Sequence, residues 1–161
     1  MGVNKALPHV FVLPEDKANG DIATGFQMEV PFDRYRQMQV LKPAGGWSAV
    51  LSVFNTDHVA AMANNPHRYM VLMIDFDGDK DRAGKLVTAI PTHLRDRVFI
   101  LGVLSEPELL KPYLGSYEKI GRDLASDCRD QTTHVWEHHL LLHNRTELER
   151  LRIAVRRILF A

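Results

Sequence analysis

Apolar positions fall into four short runs separated by polar, breaker-rich stretches, and each run reads as a strand. His9-Val-Phe-Val-Leu-Pro14 is the first, closed by a proline that cannot donate to a ladder. Gln37-Met-Gln-Val-Leu41 alternates polar and apolar and gives the second. Tyr69–Phe76 is the third, carrying an unbroken apolar run from Met70 to Ile74, and Arg97–Val103 is the fourth. Unbroken runs of this length bounded by breakers suit strands buried on both faces of a parallel sheet.

Helical spacing fills the intervals. Ala18, Ile22, Ala23 and Phe26 predict a helix over 16–27, although Asn19-Gly20 also favours a turn. Val50, Leu51, Phe54, Val59 and Met62 predict one over Ser48–Asn64 with Ser48 as its N-cap, and Asp79–Ala89 a short one with acids early. Beyond the fourth strand the spacing predicts only helices: Glu106–Leu114, Ser116–Cys128, Thr133–His143 and Thr146–Phe160, the last opening on a Thr-Glu-Leu-Glu capping box. The expected fold class is α/β: a single domain over 1–161, with a four-stranded, mainly parallel core at 9–103 and a helical extension at 104–161.

Composition narrows the function only a little. The 161 residues are 45% apolar and 25% charged, with equal numbers of basic and acidic side chains, so a nucleic-acid or membrane surface is not written in overall charge. A lone Cys128 excludes an internal disulfide and a cysteine-rich zinc site. No apolar stretch reaches the roughly eighteen residues of a membrane span. A soluble, unprocessed, cytoplasmic protein is the expectation.

The chemistry concentrates at Tyr69–Asp81, YMVLMIDFDGDKD, where the apolar third strand runs into Asp75, Asp77 and Asp79. Acids spaced two apart at a strand's carboxyl end project into the crevice where open α/β sheets bind ligands. Like charges there repel unless a cation gathers them, and a hard ion such as Mg2+ prefers oxygen ligands. The bland reading of the same stretch is a solvated turn with helix-capping acids. Glu15 follows the first strand directly, and Gly45-Gly46 follows the second, either as a turn needing φ > 0 or as a phosphate cradle.

Taken together, Leu13-Pro-Glu-Asp-Lys-Ala18, Lys42-Pro-Ala-Gly-Gly46 and Ile74-Asp-Phe-Asp-Gly-Asp79 resemble the three motifs of the toprim domain, in its overcoming-lysogenization-defect (OLD) nuclease branch. The resemblance covers residues 9–103. It implies a toprim-like sheet and a nuclease cutting phosphodiesters with Mg2+ or Mn2+, in defence against foreign DNA or in repair. Glu15, Asp75 and Asp77 would be the catalytic metal ligands, with Asp79 behind them and Glu106 or Asp16 as further carboxylates. The OLD-like branch places a second acid one helical turn after the motif glutamate, where this chain has Asn19. Lys80, Arg82 and Lys85 lie close enough in sequence to receive a substrate phosphate.

Two rivals stand beside this reading. Asp-x-Asp-Gly after an apolar strand also resembles the first motif of haloacid-dehalogenase-type phosphatases, with Asp75 as nucleophile and Asp77 as acid/base. Asp79 stands where that family has threonine or valine. The other rival is a non-catalytic, metal-binding accessory subunit whose C-terminal helices meet a partner protein or a second copy. His134, His138, His139 and His143 invite zinc, but their pairs fall on different helix faces and HExxH is absent. Arg145, Arg150, Arg152, Arg156 and Arg157 read as a solvated face opposite a core stripe, with phosphate contact as the sharper alternative.

Overall fold

A computed structural model describes residues 2–161. Four parallel strands form one sheet in the order β2-β1-β3-β4: β1 (His9–Pro14), β2 (Met38–Val40), β3 (Arg68–Met73) and β4 (Val98–Leu101). β1 and β3 pair from His9↔Arg68 to Pro14↔Met73, so the residues just beyond both strands share one rim. The third apolar run extends past β3 because its backbone keeps bonding to the β4 side: Phe76 N–H donates to the Val103 carbonyl at 3.0 Å.

Side chains alternate between two cores, as a sheet covered on both faces requires. Val10, Val12, Val71, Phe99 and Leu101 face Ile22, Ile120, Leu124, Leu148 and Ile158. Phe11, Leu13, Met70, Leu72 and Ile100 face Val50, Phe54, Met62, Leu86 and Leu94. The first core is built from the strand-bearing part and the C-terminal third together, so the helical C-terminal part completes the sheet's burial.

α1 (Lys17–Met28) covers the first face, and the second is covered by α2 (Trp47–Val53), a π-helical turn at Phe54–His58 and α3 (Val59–Asn64). The N-cap of α2 is Gly46, without a side-chain bond, and not the expected Ser48. α4 (Arg82–Ala89) starts three residues after Asp79. A 3-10 turn at Pro107–Leu110 leads to α5 (Lys111–Leu114), and α6 (Tyr117–Asp130) starts at the Ser116 cap. α7 (Arg145–Leu151), a π-helical turn at Arg152–Arg156 and α8 (Arg157–Leu159) end the chain.

The helix expected over Thr133–His143 is not formed; the segment is a series of turns ending in a 3-10 turn at Leu142–Asn144. The buried Asp127 carboxylate accepts from the Thr132 hydroxyl at 2.5 Å and from the His134 and Val135 amides at 3.2 and 2.7 Å. Those amides are thereby held by a side chain from α6. The capping box is also unused: α7 begins at Arg145, and Glu147 instead accepts from the Ile100 amide of edge strand β4 at 2.9 Å. Asn144 pairs with both backbone groups of Gly102, mimicking a further strand and shielding that edge.

Of the C-terminal arginines, Arg145 and Arg157 are exposed as a solvated face requires, whereas the other three follow neither expected reading. Arg150 donates to the Arg95 and Val98 carbonyls, Arg152 to those of Asp127 and Thr132, and Arg156 to that of Arg129. These guanidinium groups tie α7 and its π-helical extension to neighbouring segments and leave the phosphate role without them.

α1 and α6 cross in near-backbone contact. A Cβ on Gly121 would lie 1.9 Å from the Ile22 carbonyl oxygen, and one on Gly25 2.2 Å from that of Glu118. Gly121→Ala is therefore expected to lower stability by about 3 kcal/mol through overpacking. Urea unfolding measures this, and an unchanged midpoint would contradict the close crossing.

Candidate functional site

The site forms where β1 and β3 end side by side. Glu15 and Asp75, 60 residues apart, meet there: the Asp75 backbone N–H donates to Glu15 Oε2 at 2.6 Å. Asp75 is 8% exposed, which decides its character. Burial raises its carboxyl to about 7, the charges of Asp16 and Glu15 push the same way, and a hydrogen bond from Asn19 opposes them. Glu15 is raised too, first by burial, against the bond from Asp75 N–H, with Asp16 and Asp77 adding repulsion.

Asn19, the departure from the OLD-like pattern, holds this rim together. Asp16 caps α1, its Oδ1 accepting from the Asn19 backbone N–H at 2.9 Å and from Asn19 Nδ2 at 3.0 Å. The same Nδ2 donates to Asp75 Oδ1 at 2.9 Å. A fully buried neutral amide thus bridges two carboxylates that would otherwise repel. Sequence spacing marked position 19 as lying one turn after the glutamate; the bridging amide itself was not foreseen.

The remaining acids are held apart from this pair. Asp77 has left-handed backbone (φ 50) and pairs with Arg82 at 2.8 Å; its side chain is 53% exposed. Arg82 also donates to the Asp75 carbonyl at 2.6 Å and lies over the Trp47 ring, 4.9 Å from its centroid. Asp79 pairs with Lys85 at 3.1 Å and caps the Asp81 amide, and these bonds hold its carboxyl below the usual range. Glu106 is exposed before the 3-10 turn and bonds to none of these acids. Of the three expected phosphate ligands, only Lys80 is without an ion pair among the described residues; Arg82 and Lys85 serve Asp77 and Asp79.

The glycine turn reaches the same rim. Ala44 and Gly45 amides donate to the Pro14 and Glu15 carbonyls at 3.0 and 2.8 Å. Gly45 and Gly46 have φ of 100° and 151°, with open space where a Cβ would stand. Backbone conformation, and not crowding, calls for glycine here.

The histidines do not build a zinc site. His138 and His139 stack at 4.4 Å beside Tyr113, whereas His143 packs against Phe76 at 4.7 Å. Among the described residues no three histidine, cysteine or acidic side chains form a metal-shaped group. Burial pushes the Cys128 thiol up to about 11, which suits an inert core residue and not a nucleophile. Among the described residues no helix is long and apolar enough to cross a membrane.

Two desolvated carboxyls at one rim supply oxygen atoms of the kind a hard divalent ion prefers, but with the third acid held off by an arginine they fall short of a three-ligand group among the described residues. Asn19→Asp tests the electrostatics directly. Losing the bridge and adding a buried charge is expected to cost about 3 kcal/mol at pH 8 in chelator. Mn2+ should restore most of it, read as a larger metal-induced rise in melting temperature than wild type shows. A variant as stable as wild type without metal would refute the bridging role. No family model matches this chain, nor does any curated protein or solved structure.

Proposed function

We propose that the chain is a Mg2+- or Mn2+-dependent phosphodiester hydrolase acting on nucleic acid, a toprim-type nuclease. The observation that carries this reading is the meeting of Glu15 and Asp75, desolvated and like-charged, at the carboxyl ends of adjacent parallel strands. Glu15 and Asp75 fit a hard divalent cation: both offer oxygen, and their mutual repulsion is what a cation relieves. When bound, the ion would neutralise charge on the scissile phosphate and make an attacking water more acidic.

The chain's own groups divide the remaining work. A second role is open to Glu15 in place of ligation: taking the proton of the attacking water, with Asp75 and Asp77 left to hold the ion. Lys80 meets the substrate phosphate as an exposed cation. Arg82 keeps Asp77 and the Asp75 backbone in place, and a phosphate competing for its guanidinium would leave Asp77 as a further residue able to hold the ion. Trp47 holds Arg82 from behind, so the residue after the glycine turn supports the aspartate motif.

The test is cleavage of supercoiled plasmid and of labelled single-stranded DNA and RNA, with Mg2+, Mn2+ or EDTA. Wild type should cut one of them only with metal, and Glu15→Gln should lose about a hundredfold or more in rate. Metal-induced stabilisation without any cutting would overturn catalysis and leave a metal-binding subunit. Turnover of p-nitrophenyl phosphate with intact nucleic acid would make the protein a phosphatase instead.

A further inference from the structure

The opposite end of the sheet holds a second group of side chains that the acid site does not use. His9 and Arg68 open β1 and β3 and pair in register, with His9 fully buried and Arg68 8% exposed. His58, half-buried, comes from the π-helical turn, a helix form that is frequent at functional sites. The three surround Phe11: the Arg68 guanidinium carbon is 4.6 Å from its centroid, and the His9 and His58 rings lie at 5.6 and 6.1 Å.

His9 Nδ1 bonds to the Leu7 carbonyl at 2.7 Å, but each of the three side chains leaves one buried nitrogen without a partner. Arg68 makes no ion pair among the described residues, and Arg68 Nε, His9 Nε2 and His58 Nδ1 are buried with no hydrogen bond. Buried polar groups are nearly always bonded, and an unpaired buried charge is costly. The cation–π contact with Phe11 offsets part of that cost but satisfies no N–H. Around the cluster the balance is positive. Lys5 and His67 act on His9 together with Arg68, and at His58 the Arg68 charge opposes Asp57. Arg97 adds a further guanidinium, donating to the Arg68 carbonyl at 2.8 Å.

We propose that Arg68, His9 and His58 form a binding site for a tetrahedral oxyanion, a phosphate group either free or carried on a monoester. The anion's oxygens accept from Arg68 and from the two imidazoles, whose unbonded nitrogens take up protons as the negative charge arrives. Burial first, and then the Arg68 charge, lowers both imidazoles below the ordinary histidine value, and an anion between them favours their protonated forms, so binding and proton uptake are linked. The site is independent of the acids and needs no metal.

Histidine-ring NMR of the full chain in EDTA at pH 7 tests this, with inorganic phosphate and a nucleoside 5′-monophosphate as probes and chloride at matched ionic strength as control. His9 and His58 signals should shift saturably with phosphate, and both should titrate at higher pH when it is bound. Equal affinity for the two probes identifies a free oxyanion site, and markedly tighter nucleotide binding a phosphomonoester site. Arg68 supports the fold through Phe11, so the decisive variant is the less buried His58→Gln, expected to bind about tenfold more weakly. Histidine signals that do not move, move equally with chloride, or shift alike in wild type and His58→Gln would overturn the proposal.

Discussion

Asp75→Asn is expected to abolish cleavage and yet to stabilise the metal-free protein at pH 8 by about 2 kcal/mol. The Asp75 carboxyl titrates at 3.8 in an ordinary environment and at about 7 in the folded chain. Between those values the native state keeps a proton that the unfolded chain has lost. The unfolded state then binds fewer protons, so this group makes stability fall as pH rises from about 4 to about 7. Below that window it contributes no difference, and above it the full penalty stands. Three pH units correspond to about 4 kcal/mol, and partial solvent screening at the rim reduces the expected effect to about half.

His9, His58 and His143, each lowered first by burial, work in the opposite sense, because lowered values make stability rise with pH. The readout is therefore the difference between Asp75→Asn and wild type in urea melts at pH 4.5, 6 and 8. The two should agree at the lowest pH and diverge steadily above it. Mg2+ should close the gap at pH 8 by stabilising only wild type. A pH-independent difference would remove the desolvated-carboxyl account of this site.

What was legible in the sequence were patterns that act locally. Apolar runs placed β1, β3 and β4, because a strand buried on both faces leaves no room for polar residues, and polar–apolar alternation placed the half-covered edge strand β2. The acids after β1 and β3 were legible as one rim because parallel strands put their carboxyl ends together. What was hidden depended on distant side chains. Residues 133–143 have helical spacing, but Asp127 reaches from α6 and takes the amides on which a helix would start. Arg150, Arg152 and Arg156 look like a solvated stripe until a 3-10 turn at Arg95, the last turn of α6 at Arg129 and the loop at Thr132 bring carbonyls to them. Position 19 looked like a missing acid because spacing reveals location and not the partner: Asp75 lies 56 residues away.

Asp127→Ala should be the most damaging single change outside the rim, costing about 4 kcal/mol. It leaves the Thr132 hydroxyl and the His134 and Val135 amides without an acceptor at a position only 2% exposed. The turn they shape also receives Arg152 and carries Trp136 into the core shared with β1, β3 and β4. Asp127→Asn keeps one acceptor oxygen but turns an NH2 towards donors, so it should lose about half as much. Because that core draws on both parts of the chain, Trp136 fluorescence in a Trp47→Phe background and far-ultraviolet circular dichroism should fall together at a lower urea midpoint in Asp127→Ala. If Trp136 alone responded while the sheet melted as in wild type, the C-terminal third would be a separate folding unit. The rim formed by Glu15 and Asp75 would then stand without it, and the proposed metal-dependent cleavage would survive in Asp127→Ala.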